Sequence, residues 1–132
     1  MLVRNITTKF GENAGKIWAS LEEEGHSKEK SILKSTQLNE KEFYTGIGWL
    51  ARENKIRKEK NKYTLGETNL DHSVGTTAGR IWKILEIWEE ADIVTLKKLA
   101  DASEKDVYAA LGWLGREDKI EVDTNRNFRL RE

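Results

Sequence analysis

"IGWLARENKI" at residues 47–56 returns as "LGWLGREDKI" at residues 111–120. A glycine followed by tryptophan sits, both times, inside a stretch that otherwise has helical character. Sliding the chain against itself by 64 residues aligns Gly11 with Gly75 and AGKIW (14–18) with AGRIW (78–82). The same offset brings Leu21 onto Leu85 and Tyr44 onto Tyr108. From Gly11 to Ile56 no gap is needed, and 18 of 46 positions are identical. Self-similarity at a fixed offset is the mark of a duplication. The polar segment TLGETNLDHSVG (64–75) holds the boundary, giving units 1–67 and 68–132. So short a connection keeps the two units close together.

Each unit has the same order of elements. Ile17, Trp18 and Leu21, with Ile81, Trp82 and Leu85, fall at helical spacing, and Asn13 or Thr76/Thr77 are the expected caps. In the second unit Ile93-Val94 suggest a short strand, Thr95 a cap, and Leu96/Leu99 a brief second helix. Asn39 and Ser103 open a third helix, with Glu42 and Asp106 three residues on as capping-box partners. That helix carries the apolar stripe Phe43, Ile47, Leu50, matched by Val107, Leu111, Leu114. Ile56 returning through Tyr63 and Leu65, and Ile120/Val122 returning through Phe128 and Leu130, alternate as small β-hairpins. The fold class is therefore α+β, mainly α: two tandem winged helix-turn-helix domains, each three helices plus a hairpin wing.

The pattern AG-[KR]-IW, then Tyr, then GWL-x-RE-x-KI and an apolar wing strand resembles a family of small bacterial and archaeal winged helix-turn-helix domains of unknown function. The likeness covers nearly the whole chain, once per unit. It implies the winged-helix fold and adds little on activity, because fold alone does not fix function. Ser35 and Thr36 stand where the second unit has Leu99 and Ala100, so the second helix of unit one is expected to be shorter or frayed.

Lys+Arg and Asp+Glu are both 23 among 132 residues, so no overall charge draws the protein to a polyanion. Residues 1–68 nevertheless carry 13 basic and 10 acidic side chains, and residues 69–132 carry 10 and 13. The first half is the better candidate for touching nucleic acid. With no cysteine, disulfides, thiolate metal sites and cysteine nucleophiles are excluded. No apolar run approaches the ~20 residues of a membrane span, so a soluble, cytoplasmic protein without membrane contact is expected. His26 and His72 are isolated, and no phosphate-binding glycine loop or Ser/His/Asp set is recognisable. The expectation is a protein that is not an enzyme and carries no metal or cofactor.

On the third helix, the face opposite the core stripe carries Lys41, Thr45, Gly48 and Arg52, and in unit two Lys105, Ala109, Gly112 and Arg116. Basic at both ends and small between, such a face suits a DNA groove. The alternative is a solvated face whose cations pair with Glu40, Glu42 or Glu53. Outward glycine costs a helix about 1 kcal/mol relative to alanine, so it is expected to serve close approach by something outside the domain's own core. On that reading Gly48→Leu leaves folding largely intact and impairs partner binding.

The first wing concentrates Lys55, Arg57, Lys58, Lys60 and Lys62 against Glu59, a prong suited to phosphates. Glu121 and Asp123 deprive the second wing of that character. Trp18 and Trp82 are expected in the core. Trp49 and Trp113 flank it, and with Tyr44, Tyr108 and Trp88 they are candidate interface residues. Trp88, with Ile84 and Ile87, adds apolar surface for contact between the units or for a homodimer. The leading reading is a protein that binds double-stranded DNA, plausibly a transcriptional regulator, through the third helix and wing. The alternative is a winged-helix protein–protein interaction module without nucleic acid.

Overall fold

The computed structural model describes residues 6–132; the first five residues of unit one lie outside them. Domain one comprises α1 (Ile6–Glu24), β1 (His26–Lys28), α2 (Glu29–Thr36), α3 (Glu40–Arg52), β2 (Ile56–Glu59) and β3 (Lys62–Leu65). Domain two repeats it with α4 (Asp71–Trp88), α5 (Ile93–Ala100), α6 (Glu104–Arg116), β4 (Ile120–Val122) and β5 (Phe128–Leu130). Both are winged helix-turn-helix units.

The first helices start earlier than their caps-by-sequence suggest. Ile6 and Phe10 extend the buried stripe of Ala14, Ile17 and Leu21 by two turns, and Val74 does the same ahead of Ala78, Ile81 and Leu85. At Leu70, ahead of α4, no side chain caps the helix, and the apolar face marks its first turn. Asn13 is therefore no cap but a buried residue within α1, its amide donating to the Thr45 hydroxyl at 3.0 Å. Thr76 and Thr77 likewise lie inside α4.

The third helices open as expected. Asn39 accepts from the Glu42 amide at 2.8 Å, and Glu42 accepts from the Asn39 amide at 3.1 Å. Ser103 accepts from the Asp106 amide at 3.2 Å. Ile93-Val94 are not a strand. They form the first turn of α5, capped by Asp92, which accepts from the Thr95 amide at 2.9 Å. That bond holds the Asp92 carboxyl below its usual range. Nor is α2 shorter than α5; both have 8 residues. The Ser35 and Thr36 hydroxyls donate back to the Ile32 carbonyl within the helix.

In domain one the wing has a third strand, giving the order β1-β3-β2. The register sets Lys28 opposite Lys62, Ser27 opposite Tyr63, and Tyr63 opposite Lys58. Among the described residues, domain two has the β4-β5 pair plus a bridge between Ala91 and Phe128. Two cores result. Phe43, Ile47 and Leu50 pack with Ile17, Ile32 and Ile56 in one. Val107, Leu111 and Leu114 pack with Ile81, Leu96 and Ile120 in the other. Ile6 and Phe10 of α1 cross over and belong to the second core. Trp18, expected inside, is 36% exposed; Trp82 packs partly buried against its core.

The second wing is tied by an acid. Asp123, buried at the turn, accepts from the Asn125 and Asn127 amides at 2.8 and 3.0 Å and from Arg129 at 3.0 Å. The Asn127 amide leads in holding its carboxyl below the ordinary value. A depressed carboxylate pKa contributes stability above the unfolded value, lost as pH falls through the folded one. Asp123→Ala is therefore expected to lower the melting temperature at pH 7. The gap from wild type should close as pH falls below about 4, as measured by thermal melts across pH.

Candidate functional site

The face of α3 opposite its core stripe is not open. It lies on the matching face of α6, and Gly48 and Gly112 mark where the two backbones meet. A Cβ placed on Gly48 would lie 1.7 Å from the Ala109 carbonyl oxygen. One on Gly112 would lie 1.9 Å from that of Thr45. Only glycine permits so close a crossing. Thr45, Gly48, Ala109 and Gly112 are all buried. The sequence correctly turned these residues away from their own domain's core. What meets them is the other domain, so they are unavailable to a DNA groove in this arrangement. The expectation that Gly48→Leu spares folding is overturned for the same reason.

The flanking cations are engaged across the same seam, each pair once in either direction. Arg52 donates to Glu117 at 3.0 Å, and Arg116 to Glu53 at 2.9 Å. Each guanidinium also stands 5.7 Å from an indole of the opposite domain, Arg52 by Trp113 and Arg116 by Trp49. At the other end Lys41 lies 5.8 Å from the Tyr108 ring, and Lys105 lies 5.7 Å from that of Tyr44. Lys105 also pairs with Glu40 at 3.7 Å. Reciprocal contacts of this kind are those of a two-fold interface, built here within one chain. The half-exposed ion pairs contribute about 0–1 kcal/mol each, so packing at the glycines dominates.

The repeated ten residues can now be read one by one. Gly48/Gly112 permit the crossing. Trp49/Trp113 lie against Gly11/Gly75 of the first helix, where an added Cβ would come within 3.2 and 3.3 Å of the indole. Leu50/Leu114 enter the cores. Arg52/Arg116 and Glu53/Glu117 exchange partners across the seam. Asn54 and Asp118 adopt φ 60° and 58°, a left-handed turn that favours these two residue types. Ile56/Ile120 start the wings, fully buried.

The wing of domain one stays open. Lys58, Lys60 and Lys62 are exposed, with no ion pair among the described residues. Lys58 rests 5.3 Å from the Tyr63 ring. Arg57 is held by Glu59 at 2.7 Å and Lys55 by Glu53 at 3.7 Å. By the pleat, Arg57, Lys62 and Lys28 share the outer face of the β1-β3-β2 sheet, which the hairpin alone did not foretell. Beneath it, Tyr44 donates to Glu29. Burial and that bond push the Tyr44 hydroxyl far above its ordinary range. Burial also pushes Tyr63 up to about 12. Both phenols are thus neutral at any working pH and serve as packing.

Trp88 is not part of the seam. It is 55% exposed, and Ile87 (76%), Val94 (73%) and Leu99 (40%) of domain two are exposed as well. Among the described residues no group of three or more His, Cys, Asp or Glu could hold a metal, and no helix is long and apolar enough to cross a membrane. Comparison with curated proteins and with solved structures gave no match. A family profile does match, twice in tandem, over residues 5–66 and 70–130. Those spans divide at the same linker that joins β3 to α4, and between them they take in nearly the whole chain. The chain belongs to the family described as Winged helix-turn-helix domain (DUF2582).

Proposed function

We propose that the protein binds double-stranded DNA through its phosphate backbone, as a non-enzymatic regulatory module, with the wing of domain one as the contact. The observation that carries this reading is the open basic wing, whose Lys58, Lys60 and Lys62 are exposed and in no ion pair among the described residues. The third helices, which read bases in other winged helices, are occupied with each other. Binding is accordingly backbone-directed and tolerant of sequence. Domain two, net acidic, faces away from the polyanion and braces the pair.

The test is titration into random duplex DNA at several salt concentrations. The wild type should show a linear fall of log affinity with log salt. Removing one lysine–phosphate pair lowers that slope by about 0.9, so Lys58→Glu/Lys60→Glu/Lys62→Glu should bind far more weakly and flatten the slope by about two to three. An unchanged triple variant, or no salt-sensitive binding at micromolar protein, removes the proposal.

A second reading, a protein-interaction module, is favoured by the exposed large apolar side chains Ile87, Trp88, Val94 and Leu99 of domain two. Exposed apolar surface is what such a contact uses. Under it the DNA titration fails, and Trp88→Ser changes association without changing the fold.

A further inference from the structure

Between the end of α1, β1 and α2 lies a cleft of about 410 Å³ in domain one. Four hydroxyls line it, from Ser20, Ser27, Ser31 and Ser35. Ser20 and Ser35 touch each other at 2.7 Å. Lys28 and Lys62 reach it from adjacent strands, where they are direct cross-strand partners. Like charges directly opposite one another destabilise a sheet. Neither lysine has an ion pair among the described residues, a state they share with most lysines of the chain, so it is their cross-strand opposition that sets them apart. Glu24 is on the wall too, yet it pairs with neither lysine. His26 completes the lining.

The fold does not require this chemistry, because the duplicate lacks it. In domain two the corresponding positions hold Ile84 for Ser20, Trp88 for Glu24, Leu99 for Ser35 and Asp92 for Lys28. By hairpin register Asn127 replaces Lys62. At these positions domain two carries Ile84, Trp88 and Leu99 with a capping aspartate, whereas domain one is polar with two opposed cations.

We propose that the domain-one cleft binds a phosphoryl group, either of a small phosphate monoester or of a nucleic-acid backbone. A dianion between Lys28 and Lys62 relieves their repulsion, and serine hydroxyls donate to its remaining oxygens. The volume leaves room for more than the phosphoryl group itself. Glu24 weakens the site electrostatically and can accept from a hydroxyl of the bound molecule.

Inorganic phosphate titrated into the full chain, followed by amide chemical shifts, tests this. The amides of Ser27, Lys28, Ser31 and Ser35 should move saturably, and chloride at equal ionic strength should not reproduce it. Lys28→Asp places at the start of α2 the residue that caps α5, so the fold should be kept. Its phosphate affinity should fall roughly tenfold or more, and Glu24→Gln should bind about threefold more tightly. Adding duplex DNA separates the sources: displacement of phosphate assigns the site to the backbone, and undisturbed phosphate beside bound DNA assigns it to a small ligand. Shifts that do not saturate, or that persist unchanged in Lys28→Asp, overturn the proposal. Since the phosphate arm uses no DNA, its result stands apart from the wing titration.

Discussion

Gly48→Ala is expected to destabilise the protein by about 3 kcal/mol or more, toward the upper end of what overpacking costs. Helix propensity points the other way, favouring alanine by about 1 kcal/mol. The sign is decided by what the methyl group meets. At 1.7 Å from the Ala109 carbonyl oxygen and 2.6 Å from its carbon, it strikes backbone, which cannot rotate aside as a side chain could. The two helices must move apart, loosening the Arg–Glu and Arg–Trp contacts beside them. Gly112→Ala should behave alike, since it meets the Thr45 carbonyl at 1.9 Å. The double variant should lose less than the sum, because one separation serves both. Gly15→Ala is the control: nothing lies within 4 Å of its Cβ position, so it should gain up to about 1 kcal/mol. Urea denaturation of the four proteins checks the series. A Gly48→Ala protein as stable as Gly15→Ala would mean the helices do not cross at this residue.

Phe10→Ala should cost about 3–5 kcal/mol, the range for emptying a buried aromatic site. Phe10 belongs to domain one by sequence and to domain two by packing. With Ile6 it is part of the core formed by Val107, Leu111 and Ile120. Its ring lies 2.6 Å from where a Cβ on Gly115 would be. The equivalent position in domain one is Ala51, so Gly115 opens the slot that the ring fills. The loss should thus appear in domain two, as faster hydrogen exchange along α6, although the substitution is in α1. Melting should remain a single transition in the wild type. Exchange that rises in domain one alone would show the ring to be dispensable to its neighbour.

Much of this was legible in the residues. The duplication, the order of elements, the two core stripes and the Asn39 and Ser103 caps all follow from periodicity and spacing. The helical wheel also set Gly48 and Gly112 outward. A wheel gives the direction of a face and says nothing of what covers it, and that missing fact moved Thr45, Gly48 and Gly112 from a groove-binding surface to a buried seam. A signal was present: Arg at 52/116 and Glu at 53/117 recur beside the glycine in both copies, which suits reciprocal pairing between them. Strand β1 left no such trace. His26, Ser27 and Lys28 show no apolar alternation, and they become a strand only because β3 offers its edge. The sequence places Gly11 outside α1 and the start of that helix at Asn13, a residue type that caps helices. Within the structure the first makes room for Trp49 and the second bonds Thr45.

A homodimer crossing at one glycine would feel every substitution twice, once on each side of its axis. Here the two halves are joined through residues 66–70, between β3 and α4, and a short tether holds its ends at about millimolar effective concentration. The halves stay together at any dilution, and each can change alone. Only the seam must keep its likeness, because each glycine answers a carbonyl in the other half. Away from it, Lys28 could part from Asp92 and Ser20 from Ile84, leaving one scaffold with two unlike outer faces.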